Sequence, residues 1–284
     1  TVAAPLVVAR LEWDEPELAG QRLQGATVTA EGDLEELAWA LDLELARGSR
    51  LQSSGTAHLA EGNAEGSWSV SVTDPAALAV AVAPDLGLEL GGRLEGEGTL
   101  RLAGGQPEVE GRVEGWSLAA GPWRVDRLSA VVQADTGSVE VRELELALLG
   151  GSLGGELRLG LLGAEPDLRA HLAWQGFETA VLPVAVPEAA AGRSDGWLRV
   201  QGPLGAPEIE AELGWTSSQP APLVEHVGLR ASLRGGVLEA ATTGLRSELG
   251  SASASFRAPL GGFARPAWLW PAAPAGAVVA QVAV

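Results

Sequence analysis

The chain has 284 residues, of which 46% are apolar, and a formal net charge of −18. This apolar content supports a folded core rather than disorder, and the excess of acidic residues argues against nucleic acid as a partner, because phosphate binding requires clustered basic side chains. The absence of cysteine excludes disulfides and thiolate metal sites, and the absence of lysine excludes a phosphate-loop lysine and Schiff-base chemistry.

The first part of the chain alternates apolar and polar residues in short segments. In residues 37–45 every odd position is apolar, and residues 68–72 repeat the pattern with Trp68 and two valines. A strand places successive side chains on opposite faces, so each segment predicts a β-strand with one apolar and one solvated face. We assign residues 1–65 to a partial repeat of such strands.

A short helix is predicted at residues 74–83. Thr73 precedes it as a capping residue, Pro75 lies near its first turn, and Pro84 ends it. Further strands follow the helix. We therefore assign residues 66–175 to a first repeat that consists of this helix and the strands around it.

Residues 138–161 predict strands with an irregularity. The apolar positions are odd up to Val141 and even from Leu144 to Leu148, and this change of phase predicts a β-bulge at Arg142–Glu143. A helix is the alternative, since Leu144 and Leu148 are four residues apart. Four glycines follow closely, and each glycine in a helix interior destabilises the helix by about 1 kcal/mol relative to alanine. The strand interpretation is therefore favoured.

A second repeat is predicted at residues 176–260, with a short helix near 178–182. Several residues of the first repeat recur at an offset of 100, namely Gly92 and Gly192, Pro107 and Pro207, Glu108 and Glu208, and Glu110 and Glu210. A period of this length indicates an internal repeat of a helix and a run of strands. Residues 261–284 predict a loop rich in proline and tryptophan and a terminal strand of a truncated chain.

The order of these motifs identifies a family resemblance. The helix TDPAALAVAVAP is followed by the pattern LxGxLxGxGxLxLxGxxxxPxxxG in Leu90–Gly111, by a strand pair in Val125–Leu161, and by WLRVQGPLGAPEIEAEL after the second helix. This order occurs nearly twice within about residues 65–260. It resembles the AsmA-like and TamB-like repeat proteins of the bacterial envelope.

The resemblance implies a mostly β fold, a long antiparallel sheet curled into an open, U-shaped trough of the β-taco type with two short helices. It implies a non-enzymatic function, in which the apolar groove shields phospholipid acyl chains between the inner and outer membranes or assists outer-membrane assembly and protein secretion. The expected partners are phospholipid acyl chains and an outer-membrane barrel protein, contacted through a part of the parent not present here. The expected location is the periplasm, within a parent anchored in the inner membrane.

The sequence departs from the family by lacking its amino-terminal membrane helix and a recognisable carboxy-terminal partner-binding segment. We expect the chain to be a segment of a longer protein, without a transmembrane segment of its own. Its long uncharged run, Pro266–Val284, contains three prolines and a glutamine, which makes it a poor membrane span.

The alternating leucines are the candidate lining of the groove. They are Leu144, Leu146, Leu148, Leu153, Leu157, Leu159, Leu172, Leu213, Leu229 and Leu233. Alternation alone does not distinguish a groove from a dry core, so one or two closed β-sandwiches are the alternative fold. The protein would then be a secreted or surface β-rich structural or adhesive module. Four tryptophans on apolar positions, Trp39, Trp68, Trp174 and Trp215, are interpreted as packing residues in either fold.

Catalytic chemistry is not predicted. The three histidines, His58, His171 and His226, alternate with apolar neighbours and therefore fall on the polar faces of strands. Their spacing matches no zinc or calcium motif. The many carboxylates also fall on solvated faces, where no pair is marked out for acid–base catalysis. We expect neither an enzyme nor a cofactor.

Overall fold

The fold is given by a computed structural model, which describes residues 7–14, 17–18, 21–22, 24–33, 35–45, 48–75, 90–120, 122–163, 165–182, 190–219, 224–247, 250–259 and 279–283. The chain divides into two compact units, Thr1–Thr136 and Gly137–Val284. Nearly all described residues lie in strands. The division falls inside the predicted first repeat, 66–175, whose boundaries stay a prediction.

The described residues of the first unit form ten strands. They are β1 (Val7–Asp14), β2 (Glu17–Leu18), β3 (Gln21–Arg22), β4 (Gly25–Gly32), β5 (Leu37–Glu44), β6 (Arg50–His58), β7 (Asn63–Val72), β8 (Leu90–Ala103), β9 (Gln106–Ala120) and β10 (Trp123–Asp135). β1 pairs with β4, and β4 to β10 then pair in chain order, all antiparallel. β2 and β3 form a separate pair.

In the second unit, the residues that the structure describes also form ten strands. They are β11 (Ser138–Leu148), β12 (Gly151–Gly160), β13 (Asp167–Glu178), β14 (Gly192–Pro203), β15 (Glu208–Ser217), β16 (Val224–Arg234), β17 (Val237–Ser247), β18 (Gly250–Ser251), β19 (Ser253–Pro259) and β20 (Val279–Ala283). β11 to β17 pair antiparallel in chain order. β17 then pairs with both β18 and β19, and β19 pairs with β20.

Neither ladder of strands closes on itself. Within the described residues, no pairing joins β1 to β10 in the first unit or β11 to β20 in the second. An antiparallel sheet that is not closed into a barrel is what the sequence predicts. The fold class is confirmed.

Two-residue turns connect several neighbouring strands. Gly104 and Gly105 join β8 to β9 with φ values of 58° and 78°, and Gly235 and Gly236 join β16 to β17 with 55° and 73°. Two positive φ values in succession characterise the turn whose twist matches that of a hairpin, and glycine adopts them without steric cost. These glycine pairs therefore fix the strand order locally.

The two predicted helices have different outcomes. Most of the helix predicted at residues 74–83 lies outside the described residues. The helix predicted near 178–182 is confirmed as a single 3-10 turn at Thr179–Val181. The Thr179 hydroxyl donates to the carbonyl oxygen of Ala190 at 2.7 Å and accepts from the amide of Gly192 at 2.9 Å, so it links the end of β13 to the start of β14.

The predicted β-bulge in β11 is confirmed. Val141 pairs with Leu157 and Leu144 with Gly155, so two residues of β11, Arg142 and Glu143, stand against the single residue Glu156 of β12. One of them, Glu143, has a φ of 47°. A bulge of this kind shifts the alternation by one position. It therefore keeps Val141 and Leu144 on the same face of the sheet.

Burial is shallow throughout the described residues. The buried apolar side chains are Ala26, Leu43, Val72, Ala130, Leu233 and Ala258, and no large side chain in the described ranges is less than 2% exposed. A closed sandwich encloses large side chains between two layers. The described residues therefore lack the core that the alternative fold requires.

Candidate functional site

The candidate leucines of the second unit are aligned by the strand register. Leu146 of β11 lies opposite Leu153, which lies opposite Trp174 of β13. The same row continues through Gly196 to Leu213 and then to Leu229 of β16. Directly opposed residues of antiparallel strands point to the same side of the sheet. One row of apolar residues thus crosses six strands.

Two parallel rows contain most of the remaining candidates. One runs from Leu144 through Gly155 and Leu172 to Leu198, and the other from Leu157 through Ala170, Val200 and Ile209 to Leu233. Leu159 lies opposite Val139, and Leu148 follows Leu146 on the same side of β11. All ten predicted leucines therefore share one face, which we call the leucine face.

The leucine face is partly exposed. Nine of its ten predicted leucines are half-buried, whereas Leu233 is only 3% exposed. Leu233 lies opposite Leu238, which lies opposite the fully buried Ala258. Leu233 is therefore a packing residue, and the accessible part of the face is formed by the other nine leucines.

Several apolar residues in or beside the rows were not among the predicted candidates, Ile209 among them. Leu198 and Val200 lie opposite Leu172 and Ala170, and Leu238 lies opposite Leu233. Each strand shows the apolar alternation that could have identified them. Their exact neighbours depend on the register, which alternation within one strand does not give.

Two tryptophans of the first unit, Trp39 and Trp68, lie over glycines of neighbouring strands. Trp39 of β5 is opposite Gly55, which is opposite Gly66 of β7. A Cβ atom added to Gly66 would lie 2.9 Å from the indole of Trp39. Since glycine has no side chain, the ring has room to lie flat across two strands, as in the aromatic rescue of glycine in sheets.

The same arrangement recurs at Trp68. It is opposite Gly98 in β8, which is opposite Gly111 in β9. A Cβ atom on Gly111 would overlap the indole, and one on Gly96 would lie 3.1 Å from it. The indole nitrogen donates a hydrogen bond to the carbonyl oxygen of Glu110 at 3.3 Å. The first unit thus contains two equivalent Trp–Gly–Gly rows.

In the second unit, Trp174 is opposite Gly196 and its ring occupies the space above that glycine. Its indole nitrogen donates to the Ser194 hydroxyl at 3.1 Å, and its ring stacks on Phe177 with 6.2 Å between centroids. A Cβ atom on Gly192 would lie 2.6 Å from the indole nitrogen of Trp215. The contacts bear out the interpretation of these tryptophans as packing residues.

The opposite face of the second unit carries charges in cross-strand pairs. Arg230 donates to Glu212 at 2.8 Å, and Arg257 lies 3.3 Å from Glu239. The hydrogen bond and charge of Glu212 raise the pKa of Arg230. On β11, the guanidinium of Arg142 lowers the pKa of Glu140 in the same way. Such exposed pairs add little stability each, but they keep this face polar and solvated.

The polar face of the first unit bears a depression of about 800 Å³ that the sequence analysis did not identify. Its lining is rich in hydroxyl groups, from Thr27, Thr29, Ser54, Ser67, Ser69 and Thr99. Asp42 also borders it, and a hydrogen bond from Arg50 lowers the pKa of this carboxyl. No single strand reveals this lining, because it is assembled from the polar positions of six strands, β4 to β9.

The two histidines of the second unit lie on its polar face. His171 is exposed on the polar face, opposite Glu156 and Arg199, at the edge of a shallow depression of about 320 Å³. His226 is also exposed, with its Nδ1 3.2 Å from the Thr216 hydroxyl. Among the described residues, no cluster of three or more histidines and carboxylates is suitable for a metal ion.

Comparison with protein-family models, curated proteins and solved structures finds no match to this chain. In the part of the chain that the structure describes, no helix has the length and apolar character needed to cross a bilayer. The leucine face is thus the candidate site with the most extensive geometric support, and its chemistry is that of a contact surface for apolar chains.

Proposed function

We propose that the leucine face binds phospholipid acyl chains, and that the protein is a non-enzymatic segment of a lipid-transporting or assembly-assisting system of the bacterial envelope. In this proposal the sheet curls into an open trough with the leucine face inside. The resemblance to AsmA-like repeat proteins motivates the assignment to the envelope. The proposal itself rests on the face.

One observation carries the proposal: the leucines are aligned on one face of the sheet, and their side chains are only partly buried. Nine leucines from β11, β12, β13, β15 and β16 share one face, and each remains half-buried. A row of apolar side chains in contact with water is unfavourable, by about 25 cal/mol for each Å² of apolar surface. An acyl chain laid along the rows would remove this surface from water.

The chemistry of the face fits a ligand without polar groups. Leucine, valine and alanine supply no hydrogen bonds, and the charged side chains project from the other side of the sheet. A lining of this kind discriminates weakly between acyl chains of different length, because each added methylene contributes only about 0.8 kcal/mol. A carrier of mixed membrane lipids requires this tolerance.

The proposed location is the periplasm, as part of a parent protein anchored in the inner membrane. The proposed partners are phospholipids and, through another part of the parent, an outer-membrane barrel protein. Both follow from the family resemblance. An acidic, cysteine-free chain is compatible with a periplasmic location, since it needs no disulfide to fold there.

Native mass spectrometry with lipid extraction tests the proposal. The chain is expressed in a bacterial host with a secretion signal, purified without detergent and ionised under native conditions. We expect more than one phospholipid copy per chain. A lipid-free chain that unfolds cooperatively would contradict the proposal, because the leucines would then cover one another.

A variant pair links the binding to the face. The double change Leu146→Asp and Leu213→Asp introduces charge into the row that crosses six strands, and it should reduce the bound phospholipid at least several-fold. His171→Asp introduces one charge on the polar face and should leave the bound lipid unchanged. Both proteins should remain folded by circular dichroism, since a half-buried carboxylate retains contact with water.

A further inference from the structure

The leucine face ends at exposed leucines in two loops. Leu161 and Leu162, in the loop after β12, are 45% and 76% exposed, and Leu204, in the loop after β14, is 38% exposed. The leucines within β12 itself are half-buried. Both loops lie at the same end of the ladder, because β12 and β14 are each antiparallel to β13. We call these three residues the leucine rim.

The first loop continues the leucine face directly. The amide of Leu161 donates to the carbonyl oxygen of Gly137 at 2.8 Å, and this bond carries the pairing of β11 with β12 one residue further. Leu161 follows Leu159 of the leucine face by two positions. Alternation therefore places both leucines on the same side of the sheet.

The second loop reaches the same side. The amide of Leu204 donates to the carbonyl oxygen of Pro166 at 2.9 Å, which extends the pairing of β13 with β14. Leu204 follows Gly202 by two positions, and Gly202 lies opposite Leu168, which lies opposite Leu159. Each strand from β12 to β15 pairs on both sides, so the rim belongs to the interior of the ladder rather than to its edges.

Aromatic rings cover the other end of these strands. Trp174 stacks on Phe177 with 6.2 Å between ring centroids, and it donates a hydrogen bond to Ser194, which is only 7% exposed. Trp215 of β15 lies against the buried Gly192. Between β12 and β15, the leucine face is thus covered at one end and exposed at the rim.

We propose that the leucine rim inserts into the surface of a phospholipid bilayer, and that acyl chains enter the leucine face at this end. Entry of acyl chains rests on the proposed function of the leucine face, whereas contact of the rim with a bilayer does not. Adjoining exposed apolar side chains mark an interaction site. The rim supplies no side-chain hydrogen bonds, and the face behind it suits apolar chains. A bilayer fits both, because its interior is apolar and it is the source of acyl chains.

Charge determines which bilayer the rim contacts. Residues 161–166 and 204–207 contain a single charged side chain, Glu165, and the whole chain has a formal net charge of −18. An anionic membrane surface repels such a chain. Vesicles of phosphatidylcholine should therefore bind the chain more strongly than vesicles that also contain phosphatidylglycerol. The reverse order would show that basic residues, rather than the rim, make the contact.

Vesicle flotation tests the contact. The full chain is mixed with phosphatidylcholine vesicles and centrifuged through a density gradient. We expect it to float with the vesicles, and the double variant Leu162→Ser, Leu204→Ser to lower the floating fraction at least several-fold. The control is Val181→Ser, at a residue that is 51% exposed in the 3-10 turn at the other end of β13, and it should float normally. An unmodified chain that does not float, or equal flotation of the two variants, would overturn the proposal.

Binding of a soluble fluorescent fatty acid separates the rim from the proposed function, because this ligand reaches the leucine face without a bilayer. The double variant should bind it as tightly as the unmodified chain does. A double variant that loses both activities would overturn the proposal, since the substitutions would then act on the face itself. An unmodified chain that floats but binds no fatty acid would contradict the proposed function and the entry of acyl chains, but not the bilayer contact.

Discussion

At the scale of single residues, several glycines of the sheet leave room for the indole rings of tryptophans on neighbouring strands. Gly196 is the clearest case in the second unit, since a Cβ atom there would lie 2.8 Å from the Cη2 atom of Trp174 and would overlap the carbonyl oxygen of Glu212. The sequence shows both residues. Their contact depends on the pairing of β13 with β14, which neither residue reveals alone.

Gly196→Ala should destabilise the protein by about 1–3 kcal/mol, because the methyl group would overlap both the indole of Trp174 and the carbonyl oxygen of Glu212. The control is Gly244→Ala in β17, where no heavy atom lies within 4 Å of the added Cβ. This control should change the free energy of unfolding by no more than about 0.5 kcal/mol. Urea denaturation followed by tryptophan fluorescence measures both. Equal effects of the two substitutions would mean that the glycine does not serve the tryptophan.

At the scale of elements, the β-bulge of β11 determines which side its leucines occupy. Deletion of Glu143 leaves Val139, Val141, Leu144, Leu146 and Leu148 at every second position, so a regular strand without the bulge keeps all of them on one face. We expect this deletion to change the free energy of unfolding by no more than about 1 kcal/mol, because no apolar side chain changes sides. Glu143→Gly keeps the bulge and suits the φ of 47°, so its effect should also be within about 1 kcal/mol. Thermal melting compares the two variants, and a deletion variant that melts far below Glu143→Gly would show that the bulge does more than set the phase of the leucines.

The elements also show how far sequence reasoning extends. The bulge at Arg142–Glu143 could be predicted because a continuous apolar face requires the phase to change there. The division of β17 between β18 and β19 could not be predicted, because those short strands contain too few residues for a periodic pattern. The hydroxyl-lined depression of the first unit was missed for a related reason, since it depends on the register of six strands.

At the scale of the whole molecule, the two faces of the sheet have opposite chemistry. The leucines predicted from alternation lie on one face of the second unit, and the charged pairs lie on the other. Leu233 lies on the same face as the other leucines but is more deeply buried, since it is only 3% exposed and lies opposite Leu238. Alternation identified the face correctly, but depth of burial depends on what lies above the sheet. That information is not contained in the pattern of one strand.

Photo-crosslinking at two adjacent residues tests the central claim most directly. A benzophenone amino acid is placed at Leu172, on the leucine face, or at His171, its exposed neighbour on the polar face. The protein is then irradiated in cells and analysed for lipid adducts. The account predicts phospholipid adducts at Leu172 and none above background at His171. Equal labelling at both positions, or no lipid at Leu172, would contradict it.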